Sequence, residues 1–214
     1  MKKKILGLCM VACLGVTVAG CAADLDDVEK QVTKMERVIE DGEIFEKDWA
    51  LTAVMDEGEV IQEVSVVRDG ENFYLTMGVG DESAETWLIK DGDKYTGYMR
   101  SGDIKIRETI SADEAKEMLE EFNLKGIYEM LLEGLKELDE GCAEDGVTCE
   151  FEKNLFGKLT ITMTMGEGED AETFTMVIKG GKVLSADVGE ASMEFEYKNQ
   201  TVKAPEDKDQ YKAA

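Results

Sequence analysis

The chain has 214 residues, with 48 acidic side chains against 24 basic ones, no histidine and a net charge of −24. So acidic a balance argues against nucleic acid as a partner and against lying flat on anionic headgroups. Without histidine there is no Ser-His-Asp triad, Cys-His pair or His-ligated zinc centre. No GxSxG elbow or phosphate-binding glycine loop occurs, and no spacing among the carboxylates selects an acid/base pair. The chain is therefore read as non-enzymatic, with no cofactor and no metal.

Met1-Lys2-Lys3-Lys4 is a short cationic start, and Ile5 to Ala19 is an uncharged, largely apolar run. That run is shorter than the roughly 20 residues that span a bilayer, so it reads as an export signal rather than an anchor. Its exit, Val18-Ala19-Gly20-Cys21, resembles the lipobox of bacterial lipoproteins. The resemblance implies cleavage between Gly20 and Cys21 and diacylglycerol on the Cys21 thiol. It also implies an extracytoplasmic domain held at the cell membrane by its lipid. Plain secretion is the alternative. Cys9 and Cys13 leave with the signal, residues 1–20. The remainder carries 21 basic against 48 acidic side chains, a net of −27.

Residues 21–24 form a tether too short to hold the domain away from the membrane, at up to ~3.5 Å per residue. Leu25, Val28, Val32, Met35, Val38 and Ile39 then recur at helical spacing, with Asp24 to cap the start and Gly42 to close the end. From Trp49 the period changes to two. Strands are predicted near Trp49–Met55, Val60–Arg68, Phe73–Val79, Ala84–Lys90, Lys94–Arg100 and Ile104–Thr109, with hairpin signals at Asp69-Gly70 and Asp91-Gly92. Ser111-Ala112-Asp113-Glu114 is a capping box opening a helix with Ala115, Met118, Leu119 and Phe122 on one side. Gly126 is expected to break it, and Ile127, Met130, Leu131, Leu135 and Leu138 to make another helix. Five further strands follow: one from Val147, then Leu159–Met165, Phe174–Ile178, Leu184–Val188 and Ala191–Tyr197. The tail, 205–214, reads as a loose end.

This order predicts an α+β fold: a curved antiparallel sheet of about 11 strands, with an N-terminal helix and two helices between strands 6 and 7. A single domain is expected over 25–204. The arrangement resembles the half-barrel of the bacterial outer-membrane lipoprotein carrier family and its mycobacterial lipid-carrying lipoprotein relatives. Lys198 to Pro205, a last strand running into proline, also resembles that family's ending. The resemblance implies acyl chains held between sheet and helices; no family residue is carried over onto this sequence.

On that reading Leu51, Met55, Phe73, Leu75, Met77, Ile161, Met163, Phe174, Met176, Met193 and Phe195 line an apolar ligand cavity, methionine suiting varied ligands. A closed core uses the same residues equally well, which leaves an envelope scaffold or protein-interaction module as the alternative, its partner unspecified. Cys142 and Cys149 are expected to form a disulfide outside the cytoplasm; reduced, buried thiols are the alternative. Acidic clusters such as Glu167-Gly168-Glu169-Asp170 lack the spacing of a calcium loop and read as solvated surface.

Overall fold

The computed structural model describes residues 23–214 except 57, 59, 81, 121–122, 142–146, 167–170 and 199. Gly20, Cys21, Phe122, Cys142 and the Glu167–Asp170 cluster thus lie outside the described residues. The fold is α+β. An open, largely antiparallel sheet of 12 strands has the order 12-6-5-4-3-2-1-11-10-9-8-7, counting strands along the chain, with helix α1 (Leu25–Asp41) before it and helices between the sixth and seventh strands. By its contacts the chain divides into two compact units: unit 1, Met1–Gly42 with Lys125–Ser192, and unit 2, Glu43–Leu124 with Met193–Ala214.

In unit 1, α1 begins where the Asp24 carboxylate accepts from the Asp27 amide at 3.1 Å and ends at Gly42 in the left-handed region. Val28, Gln31 and Met35 are its buried stripe. The hairpins β7 (Val147–Lys153), β8 (Lys158–Met165), β9 (Glu172–Lys179) and β10 (Lys182–Val188) supply a sheet face. Its cross-strand pairs include Leu159 with Ile178, Ile161 with Met176 and Met163 with Phe174. Helix α4 (Leu124–Gly141) contributes Tyr128, Leu131, Leu135 and Leu138, all 3% exposed or less.

Contact between α1 and the β9–β10 turn is backbone to backbone. A Cβ on Gly181 would stand 2.5 Å from the carbonyl carbon of Lys34. The Gly181 amide donates to buried Gln31 Oε1 at 3.0 Å, and the Val183 amide to the Tyr128 hydroxyl at 3.2 Å. Both polar side chains are thereby satisfied, as burial requires.

Unit 2 contains a short helix α2 (Glu43–Glu46), not expected from the sequence, and strands β1 (Trp49–Asp56), β2 (Ile61–Asp69), β3 (Asn72–Val79), β4 (Glu82–Asp91), β5 (Lys94–Ser101) and β6 (Ile104–Ser111). Helix α3 (Ala112–Glu120) opens on the anticipated capping box. The Glu114 carboxylate accepts from the Ser111 amide at 2.8 Å, while the Glu114 amide donates to the Ser111 hydroxyl at 3.2 Å. β11 (Ala191–Glu196) leads into the tail.

Four sequence readings are corrected. The helix break falls before Leu124, not at Gly126, which lies inside the first turns of α4. Met118 and Met130, expected on buried helix stripes, are each 42% exposed. On β10 a bulge between Val183 and Ser185 resets the alternation, so Val183 and Ala186 point inward while Leu184 is only half-buried.

The fourth correction is the tail. Residues 200–205 form no strand, yet 205–214 is not a loose end: Pro205 and Tyr211 are buried, and Lys212–Ala213 (β12) pairs parallel with β6. Tyr211 packs edge-on against Tyr98 at 5.4 Å in a cluster with Trp87 and Val202. Asp207 takes a 2.6 Å hydrogen bond from Lys105, and the Val202 amide donates to Asp69 at 2.9 Å. The twelfth strand comes from this segment, whose charged residues disguise its two buried anchors.

Candidate functional site

Strand register in unit 2 fixes which residues share a face. One row runs Leu51–Val66–Leu75–Thr86–Met99–Ile106 across six strands; the next runs Ala53–Val64–Met77–Ala84–Ser101–Ile104. A shorter third row is Met55–Gln62–Val79–Glu82. Because side chains alternate across a strand, all of these project from the same side of the sheet. On the opposite side stand Tyr74, Trp87 and Tyr98, the side taken by the tail.

Cover on the apolar side is graded. At one end α3 closes it: Leu88, Tyr95 and Ala115 form a buried cluster, with Phe73, Ile110 and Leu119 packed against it. Arg68 lies in the same row as Phe73. Its guanidinium sits 5.2 Å above the Phe73 ring and donates to the Phe45 and Gly70 carbonyls. Burial lowers its pKa from the ordinary arginine value, against the raising effect of nearby Glu46. Lys90, over the Tyr95 ring at 4.8 Å, is paired with Glu71 at 3.2 Å. Both cations are thus held by the protein at the closed end.

At the other end the cover stops. Met55 (43%), Met77 (46%), Val79 (53%), Met99 (37%) and Ile104 (63%) are all exposed. Beside them a groove of about 590 Å³ runs along β6 and the tail, with Ile104, Ile106, Lys105 and Gln210 among its walls. Contiguous apolar surface of this kind marks a binding face more often than scattered apolar residues do.

The expected cavity residues therefore separate. Leu51, Met55, Phe73, Leu75 and Met77 come together on this face of unit 2. Ile161, Met163, Phe174 and Met176 lie in the core of unit 1 at 0–6% exposure. Met193 is half-buried and Phe195 buried on β11, the Phe195 ring stacked with Tyr197 at 6.4 Å. Sequence reasoning missed Val64, Val66, Met99, Ile104 and Ile106. Their alternation is visible in the strands, but only pairing register assigns them to a common side. Cys149 is buried on β7, opposite Met163.

Among the described residues no helix is long and apolar enough to cross a membrane, and no three or more metal-ligating side chains gather. No protein-family model matches this sequence, and no curated protein is significantly similar to it.

Proposed function

We propose that this chain is a lipid-anchored lipoprotein on the extracytoplasmic face of the cell membrane, and that it binds a lipid or other apolar ligand. It resembles lipoproteins at Val18-Ala19-Gly20-Cys21, which supports the anchor. The observation that carries ligand binding is the graded apolar face of unit 2, closed under α3 and open at Met77, Met99 and Ile104. A ligand laid along the rows covers side chains that otherwise face water, at a gain of roughly 25 cal/mol per Å². The reading needs no catalytic group and no cofactor. In that oxidising compartment Cys142, which lies outside the described residues, is expected to pair with Cys149.

The second reading, an envelope interaction module, is favoured by the buried state of Ile161, Met163 and Met176 in unit 1. It gives the same unit 2 face to a protein.

Titration of the full mature chain with a fluorescent long-chain fatty acid, alongside native mass spectrometry of purified protein, separates the two. Saturable binding is expected, weakened about tenfold or more by Met77→Lys with Ile104→Lys, a loss of roughly 1.4 kcal/mol. Met163→Trp is expected to overpack unit 1 by about 1–3 kcal/mol and leave fatty-acid affinity unchanged. If no lipid copurifies and no titration saturates, the ligand reading fails and the interaction module takes its place.

A further inference from the structure

The two most exposed large apolar side chains among the described residues are neighbours: Leu155 at 92% and Phe156 at 79%. They form the tip of the β7–β8 hairpin in unit 1. Nothing in the turn requires them there. The Asn154 carboxamide oxygen accepts from the Phe156 and Lys158 amides at 2.9 and 3.0 Å. The Gly157 amide donates to the Asn154 carbonyl, and the Asn154 amide to the Lys158 carbonyl, each at 3.0 Å. Asn154 and Gly157, the latter at φ +74°, therefore hold the turn. The loop presents Leu155 and Phe156 on a fixed backbone, with Lys153 and Lys158 on either side.

The position of this tip is informative. Lys153 donates to Asp27 Oδ1 at 2.6 Å, joining the base of the hairpin to the first turn of α1. Asp24, the cap of that helix, stands three residues after Cys21. Asp24 thus lies at the end of unit 1 that carries the apolar tip, and the proposed anchor is at most about 10 Å of chain away from it.

We propose that Leu155 and Phe156 insert into the lipid bilayer as a second contact beside the Cys21 anchor, fixing which end of unit 1 faces the membrane. This rests on the lipoprotein reading above. Two adjacent apolar side chains at a loop tip are costly in water and at home just below the headgroups, where flanking lysine stems can reach back to the polar layer. The exposed carboxylates of Asp24 and Asp26 lie near the same end. The contact therefore depends on apolar insertion and not on anionic lipid.

The test uses the full mature chain carrying Phe156→Trp on phosphatidylcholine vesicles with brominated acyl chains, with the acyl mass on Cys21 measured in the same preparation. Trp49 and Trp87 are buried, so the parent chain gives the background. The proposal predicts that the added tryptophan loses emission to the bromines beyond the loss in the parent chain, because it lies within the acyl boundary just below the headgroups. An acylated protein whose added tryptophan is not quenched overturns the tip contact and leaves the anchor standing. Absence of acyl mass on Cys21 overturns the anchor and the tip proposal with it. Leu155→Ser with Phe156→Ser, in a second sample bearing tryptophan at Lys158, tests the same contact: quenching there is lost if the apolar pair drives insertion, and its persistence overturns the proposal.

Discussion

A methyl group on Gly181 would meet Lys34 and Met35 backbone atoms at 2.5–2.7 Å, in a residue already at φ +78°. Neither constraint can relax without moving α1, whose Gln31 also takes the Gly181 amide proton. Gly181→Ala is expected to cost about 3 kcal/mol or more, from left-handed strain, overpacking and a weakened buried hydrogen bond. Its neighbour is the control. Gly180 has φ +61° and nothing within 4 Å of a would-be Cβ, so Gly180→Ala carries only the backbone strain of about 1–2 kcal/mol. Urea unfolding of both variants decides; equal losses would refute the close approach of α1. The pair reads as a turn from sequence alone, but not as a helix contact, because the partner lies well over a hundred residues away in the chain.

Among the elements, strands and capped helices were legible because their periods and caps are local. Trp49, Leu51 and Met55 announce β1, and Ser111 with Glu114 announces α3, without reference to any other part of the chain. The readings missed where burial is set by more than the local period. The β10 bulge turns Val183 inward, and the tail 200–214 hides Pro205 and Tyr211 among exposed charges. Removing residues 201–214 takes Val202 and Tyr211 from the Trp87–Tyr98 cluster and leaves β6 without its parallel neighbour. That truncation is expected to destabilise unit 2 by about 3–6 kcal/mol, counting two buried side chains. Guanidinium unfolding followed by tryptophan emission measures it. A truncated protein as stable as the parent would mean that the tail packs without contributing.

At the scale of the whole molecule, the candidate site was half legible. Of the eleven residues expected to line one cavity, register puts Leu51, Met55, Phe73, Leu75 and Met77 on one face, while Ile161, Met163, Phe174 and Met176 lie in the core of unit 1. Which apolar face remains open is set by the placing of α3 and the tail, and no periodicity encodes that. Anchoring is a separate question with its own test. Cys21→Ala removes the thiol proposed to take the lipid, and is expected to leave either an uncleaved precursor or a form released from membranes, as fractionation and intact mass will record. A correctly processed Cys21→Ala protein that still sediments with membranes would sink the lipoprotein reading, whatever the fatty-acid titration shows.

The interleaving of the two units bears on the order in which the chain can fold. Unit 1 takes α1 from the early chain and β7–β10 from the late chain, while unit 2 takes its sheet from the middle and its cover from the last residues. During synthesis Met35 therefore has no sheet to pack on until the β9–β10 turn has left the ribosome, and Trp87 stays uncovered until Tyr211 follows. Neither unit can close early. On the proposed lipoprotein reading the chain is threaded through a translocon as an extended polymer, and this arrangement suits it, since premature native structure would stall its passage and late closure keeps the chain pliable.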